Sequence, residues 1–314
     1  RYRTDPPPLP CPTPWLISMP ASTAIVLFPL ISALMYVFSA LLLKRSSEAG
    51  VGLWRTTFVA NEIVGVLFAF LWLLGGVTVT WDMLWQPGVI ALCLFVGQIS
   101  QFLALEKGDV SVAVPIFGLK VVLVALFTPL VVGVPVSLTL WIAAFLSVAG
   151  ITLLNKKHEG KRPKNIGITL AAGGVGAVCF ALFDVLVQKW GPHWGVGRLL
   201  PLIFGMNAVL SFSLILLFKA PLRDISKSTW KWLVSSAVLL GTQSIIFVST
   251  LAIYGKATAA NIVYASRGLL SVALVWLVGH WFANLEQNLG KKVLAWRMAG
   301  AALMMTAIVL VVLG

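Results

Sequence analysis

Ten stretches of 18 to 25 mostly apolar residues restrict the fold of this chain more than any other feature. A helix needs about twenty apolar residues to cross the hydrocarbon core of a bilayer. Only 11% of the residues are charged, against about 25% in soluble domains. The sequence therefore predicts an all-α polytopic membrane protein with ten transmembrane helices. These cover residues 23–43, 53–74, 88–105, 110–132, 136–154, 166–188, 198–218, 232–253, 257–281 and 294–313.

The first five helices and the last five resemble each other in sequence. At an offset of 145 residues, the Gly-Val-Gly run at 50–52 recurs at 195–197, and Gln98 recurs as Gln243. Because each half contains an odd number of crossings, the second half enters the membrane from the opposite face. The sequence therefore predicts two inverted five-helix repeats, related by a pseudo-two-fold axis in the membrane plane.

Composition divides the chain into four parts. Residues 1–22 are rich in proline and are expected to form a disordered tail. We expect the first five-helix repeat at 23–154, a charged linker at 155–165 and the second five-helix repeat at 166–314.

The charges in the loops predict an orientation. Fourteen lysines and arginines lie in the loops after helices one, three, five, seven and nine, and five lie on the other side. Positively charged loops stay in the cytoplasm. We therefore expect a multi-pass protein of the cell (inner or plasma) membrane, with both termini outside.

One basic residue lies near the middle of the fourth helix, and another lies at the matching depth of the ninth. Lys120 corresponds to Arg267 at an offset of 147 residues. Ten residues of helix from Val110 or Ala257 rise about 15 Å, half of a bilayer core. A basic side chain at that depth costs about 2.5 to 3.5 kcal/mol, so it is expected to face a water-filled cavity or a partner. We interpret both as substrate contacts, with a structural ion pair as the alternative.

Further polar residues in the predicted spans are candidates for the same substrate-binding site. On helical spacing, Tyr264 and Ser271 share a face with Arg267. Glu62 lies near the depth of the two cations and is interpreted as their counter-ion, as a proton carrier or as a substrate contact. Amides in the spans are either interhelical hydrogen-bonding groups or ligands. The remaining candidates are Gln98, Asn207 and Gln243.

Two more residues in the spans allow a structural prediction. Asp184 lies four residues before the predicted end of the sixth helix, so we expect it to pair with Lys189 at the interface. Pro115 precedes Lys120 by five residues and is expected to loosen the helix, exposing polar backbone as discontinuous transporter helices do. Ordinary helix packing is the alternative explanation of this proline.

The ten spans, their division into halves and one repeated run resemble a known group of proteins. The run is LEKGDVSVAVPIFGLKVVLVALFTPLVVG, echoed by YGKATAANIVYASRGLLSVALVWLVG. From Thr23 to the C-terminus, the chain resembles the EamA-type branch of the drug/metabolite transporter superfamily.

This resemblance implies a secondary carrier of small metabolites that works by alternating access through a cavity between the repeats. In relatives that carry phosphorylated sugars, basic residues on the fourth and ninth helices bind the anionic group, and Lys120 and Arg267 lie on those helices. The small multidrug exporters use a glutamate in the first helix, whereas the glutamate here is Glu62 in the second.

We predict a secondary transporter that moves a small organic metabolite bearing a carboxylate or phosphate, coupled to a proton or sodium ion. The protein is expected to act as a monomer or homodimer in the lipid bilayer. A non-transporting membrane receptor or scaffold is the alternative. We expect no nucleic-acid partner, since the basic residues lie in short loops. No cofactor, metal site or enzymatic activity is expected, because the sequence lacks CxxC, HExxH and GxSxG motifs.

Overall fold

The computed structural model describes residues 20–108, 110–154, 165–278 and 291–313, and within them the chain is helical with no strand. The predicted tail before residue 20 and nearly all of the predicted linker lie outside these residues. The first five crossings are formed by α1 (Ala21–Glu48), α2 (Leu53–Ala69), α3 (Trp85–Glu106), α4 (Val110–Gly118) with α5 (Lys120–Phe127), and α6 (Leu138–Leu154).

The second half repeats this order. Its helices are α7 (Ile166–Trp194), α8 (Val196–Ser211), α9 (Lys227–Tyr254), α10 (Ala257–Tyr264) with α11 (Arg267–Val278), and α12 (Lys291–Leu313). Eight of the described crossings are long and apolar enough to span a membrane, and α6 is shorter with 17 residues. The remaining crossing, the ninth in chain order, is divided between α10 and α11. The predicted polytopic all-α fold with ten crossings is confirmed.

The contacts between helices follow the exchange that a pseudo-two-fold axis requires. α1 packs along α9, and its repeat equivalent α7 packs along α3. α2 packs on α9, and α8 packs on α3 in the same way. The equivalent helices α2 and α8 contact each other, as do α6 and α12. Each of these contacts therefore has a counterpart when the two sets of five helices are exchanged.

The backbone repeats at one position where glycine is required. Gly52 precedes α2 with φ +79° and ψ 147°, and Gly195 precedes α8 with φ +76° and ψ 150°. Residues with a Cβ are almost excluded from this region of backbone space. The two glycines therefore allow the tight reversals from α1 to α2 and from α7 to α8, at equivalent places in the two halves.

The α6–α12 crossing depends on a second pair of glycines. A Cβ atom on Gly150 would lie 2.5 Å from Met304 Cγ, and one on Gly300 would lie 2.8 Å from the carbonyl oxygen of Gly150. Small residues at such crossings let two helix backbones approach closely. These glycines fix the distance between the last helices of the two halves.

Candidate functional site

A cavity of about 420 Å³ lies where the two sets of helices meet. Its wall is formed by α1, α3, α4, α5, the end of α6, α10 and α11. Lys120 and Arg267 both line it, one from each half of the chain. The two basic residues singled out in the sequence therefore contribute to one cavity.

Each of these basic residues begins a new helical segment after a break. α4 ends at Gly118 before Lys120 opens α5, and α10 ends at Tyr264 before Arg267 opens α11. At the first break, the N–H of Leu119 donates to the carbonyl of Ile116 at 3.0 Å, a tighter turn than an α-helix makes. The break after Pro115 agrees with the predicted loosening, and the ninth crossing has a break without a proline.

Lys120 is paired with a buried carboxylate. Its Nζ lies 2.7 Å from Oδ2 of Asp184, whose side chain is 1% exposed. The side-chain amide of Asn261 donates to the same oxygen at 2.7 Å. The carboxylate is thus held from two helices at once, which satisfies the requirement that a buried charge be paired and hydrogen-bonded.

The prediction that Asp184 pairs with Lys189 at the interface is wrong. α7 does not end near residue 188 but continues to Trp194, which places Asp184 ten residues before the helix end. At that depth it meets Lys120 instead of interfacial water. The error came from ending the helix where its apolar run ends.

Arg267 is held by aromatic rings and not by a carboxylate. Its guanidinium lies 4.7 Å from the ring centroid of Tyr36 and 4.8 Å from that of Tyr264. The Tyr264 hydroxyl donates to Oε1 of Gln243 at 3.1 Å, which fixes the second ring. In the described part of the chain, Arg267 forms no ion pair. Because a guanidinium carries five N–H donors, it retains donors for a ligand in the cavity.

The rest of the cavity wall is mainly apolar with a few polar groups. Phe117, Val121 and Ile151 contribute apolar surface, and Gln101 and Ser271 contribute polar side chains. Such a composition, with few polar groups that fix orientation, is typical of small-molecule sites. Of the predicted site residues, Lys120, Tyr264, Arg267 and Ser271 line the cavity, and Gln243 supports it from behind.

Three predicted site residues lie elsewhere, between α2, α3 and α8. The Asn61 amide donates to Oε1 of Gln98 at 2.9 Å and to Oγ of Ser211 at 2.7 Å. Gln98 therefore acts as an interhelical hydrogen-bonding group. One carboxyl oxygen of Glu62 and the amide oxygen of Asn207 are buried in this region without a hydrogen-bond partner among the described residues.

The interpretation of Glu62 as the counter-ion of the two cations is wrong. Asp184 occupies that role for Lys120, and Glu62 is absent from the described wall of the cavity. Depth along the membrane normal was the only basis for the pairing, and residues at one depth on different helices need not meet. Its interpretation as a proton carrier stays a prediction.

The sequence reasoning missed three residues that shape the site. Asp184 was placed at the interface, and neither Asn261 nor Tyr36 was predicted as a site residue. A usable signal existed for Asn261, because it lies three residues before Tyr264 and shares its helix face. Tyr36 lies in an otherwise apolar run, so its contact with Arg267 follows only from the packing of α1 on α10 and α11.

The cavity extends from the centre of the protein toward one side only. Leu105 and Leu154, at the C-terminal ends of α3 and α6, form its outer part. These ends lie on the side of the positively charged loops. On this side the cavity reaches the level where the helices end.

On the opposite side the helices are closely packed. A Cβ on Gly191 would lie 2.6 Å from Cα of Ala252, so α7 and α9 touch there without room for a side chain. The backbone N–H of Ala257, at the start of α10, donates to Oε1 of Gln188 at 2.8 Å. These contacts close the side of the molecule where α7 ends and α10 begins.

Comparison with known proteins agrees with this architecture. Residues 19–156 match the model of the EamA-like transporter family. A solved structure, titled only as the crystal structure of a protein, superposes with a TM-score of 0.72. Its identity is 18%, and the match covers 92% of this chain and 96% of the other, which shows a shared fold. No curated protein matches the sequence significantly. The first half of the chain, residues 19–156, is thus similar to EamA-like transporters, and the chain as a whole shares the fold of the solved structure.

Proposed function

We propose that the protein carries a small organic anion, bearing a carboxylate or phosphate, across the membrane by alternating access. The observation that carries this proposal is the position of Arg267, which lines the central cavity without a carboxylate partner in the described part of the chain. An unpaired cation at this depth is costly unless a ligand or water compensates it. An anionic substrate would provide that compensation directly.

The one-sided cavity supports the alternating-access part of the proposal. The cavity reaches one side of the protein, while α7 and α9 are closely packed on the other. In a transporter built from inverted repeats, exchanging the conformations of the two halves would open the closed side. The broken crossings α4–α5 and α10–α11 lie beside the cavity and are the elements that would change shape in such an exchange.

The setting of this transport is part of the same proposal. The protein would act in the cell membrane as a monomer or homodimer, and a proton or sodium ion would be the coupling ion. The positively charged loops would face the cytoplasm. The cavity would then face the cytoplasm in the conformation described above.

The first experiment is a transport measurement with single variants. Purified protein is screened by thermal shift against amino acids, organic acids and sugar phosphates, and stabilising compounds are then tested for uptake into proteoliposomes. We expect Arg267→Gln and Lys120→Ala to lower uptake at least about tenfold, since removing one partner of a buried charge pair costs about 2 to 5 kcal/mol.

Arg223→Gln is the matched control, because Arg223 is 88% exposed and lies 3.9 Å from Asp224 away from the cavity. This variant should transport at the wild-type rate. Normal uptake by both cavity variants would contradict the proposal. Compounds that bind but are never transported would favour a receptor.

A further inference from the structure

The charged groups around the cavity do not cancel, and we propose that Asp184 restricts the substrate to molecules with one net negative charge. This inference rests on the proposed function and specifies its substrate. Among the described residues, Lys120 and Arg267 are the cations of the wall, and Asp184 is the carboxylate that pairs with one of them. One positive charge therefore remains for the substrate to neutralise.

Lys120 and Asp184 form a unit that is close to neutral when seen from the cavity. The two charged atoms lie 2.7 Å apart, and only 17% of the lysine side chain is exposed. Asn261 binds the same carboxylate oxygen, so Asp184 cannot rotate away without losing two contacts. The carboxylate lies behind the lysine and does not line the cavity, so it would not repel an anion by direct contact.

Arg267 carries the charge that is left. The rings of Tyr36 and Tyr264 hold its guanidinium in place but contribute no formal charge. Tyr264 is itself fixed through its hydrogen bond to Gln243. Arginine geometry matches a carboxylate through two parallel N–H···O bonds. One carboxylate at this position would make the occupied cavity neutral.

The cost of a mismatched charge is large enough to produce selectivity. Two unit charges 4 Å apart interact by about 4 kcal/mol at the effective dielectric constant of a protein surface, and more strongly when buried. A doubly charged anion would leave one negative charge without a partner in this cavity. The geometry therefore favours a monocarboxylate, or another singly charged anion, over a dicarboxylate or a phosphate monoester.

The size and lining of the cavity indicate the rest of the substrate. A volume of about 420 Å³ falls in the range of sites for small organic molecules. Phe117, Val121 and Ile151 present apolar surface away from the charged groups. The preferred substrate would thus combine one anionic group with an apolar organic frame.

The test compares molecules that share a frame and differ in charge. Purified protein in nanodiscs is titrated with dicarboxylates of four to eight carbons and with terephthalate, each as the free dianion and as the monomethyl ester. Binding is measured by thermal shift and by calorimetry, and transport in proteoliposomes. We expect wild-type protein to bind the best monoester at least about tenfold more tightly than its dianion.

Two variants change the charge of the cavity in opposite ways. Asp184→Asn leaves two uncompensated cations, so the preference should shift at least about tenfold toward the dianion. Combining it with Lys120→Gln restores one positive charge, and the preference for the monoester should return. Asp224→Asn removes an exposed carboxylate of the same type outside the cavity and should change nothing.

The double variant distinguishes an effect of charge from an effect of structure. If the ion pair had only a structural role, removing both partners would not restore the preference for the monoester. If Asp184→Asn does not fold, Arg267→Gln provides an independent test. It leaves the ion pair intact and should remove the preference for the monoester over the neutral dimethyl ester.

Several results would overturn the charge assignment. These are a wild-type preference for dianions, no binding of any monoester in the panel, or an unchanged preference in folded Asp184→Asn. Transport of dianions by the wild type would still agree with an anion carrier. The proposal that the protein is a carrier would instead be contradicted if no compound from the broader screen were transported.

Discussion

At the scale of single residues, the sequence predicted the cations of the site but not their partners. Lys120 and Arg267 could be recognised because a charge in an apolar span is costly and because the two match across the repeat. Asp184 and Tyr36 could not be assigned, since each meets its cation through the packing of helices distant in sequence. Depth along a helix can be read from sequence, but the direction of neighbouring helix faces cannot.

The ring of Tyr36 offers a test of how Arg267 is positioned. A cation over an aromatic face gains about 0.5 to 2 kcal/mol. We expect Tyr36→Leu to weaken substrate binding about three- to thirtyfold, because the guanidinium loses one of its two rings. Tyr36→Phe keeps the ring face and should bind within about threefold of the wild type. Equal losses in both variants, measured by calorimetry, would show that the hydroxyl matters and the ring does not.

At the scale of elements, apolar length predicted the number of crossings well and their ends poorly. α1, α7 and α9 contain 28 or 29 residues, several more than their apolar runs. Polar residues near a helix end can stay helical in the headgroup region, so hydropathy underestimates these helices. The break in the fourth crossing was predictable from Pro115, whereas the break before Arg267 had no comparable signal.

The glycines of the α6–α12 crossing can be tested directly. Gly150→Val and Gly300→Val should each lower thermal stability, since added atoms in a packed contact cost about 1 to 3 kcal/mol. Gly205→Ala in α8 is the control, because a Cβ there meets nothing within 4 Å. Melting temperatures measured in one detergent provide the comparison. Stabilities that match the control would show that the helices can separate without cost.

At the scale of the whole molecule, the repeat predicted the architecture but not its conformation. Two similar halves imply that contacts on one side of the membrane have possible counterparts on the other. The helices nevertheless pack closely on one side, where Gly191 meets Ala252, and the cavity opens toward the other side. A sequence with internal symmetry cannot by itself predict which side is closed, because that depends on small differences between the halves.

The one-sided opening predicts a difference in chemical accessibility. Ser271 lines the cavity in α11. In a background without the native cysteines, Ser271→Cys should react with a membrane-impermeant maleimide at least about tenfold faster from the side of the positive loops. Gly191→Val should reduce this difference, because a larger side chain prevents the close approach of α7 and α9. Equal labelling rates from both sides in the parent protein would contradict the one-sided opening.

The hydrogen bond from Ala257 to Gln188 has no equivalent in the other half, where the corresponding residues are Val110 and Leu43. A hydrogen bond that closes one side of the protein, without a counterpart on the other side, would make the two end states of alternating access unequal in free energy. Under the alternating access proposed above, the empty protein would rest with its cavity open toward the positively charged loops and would bind solutes from that side first.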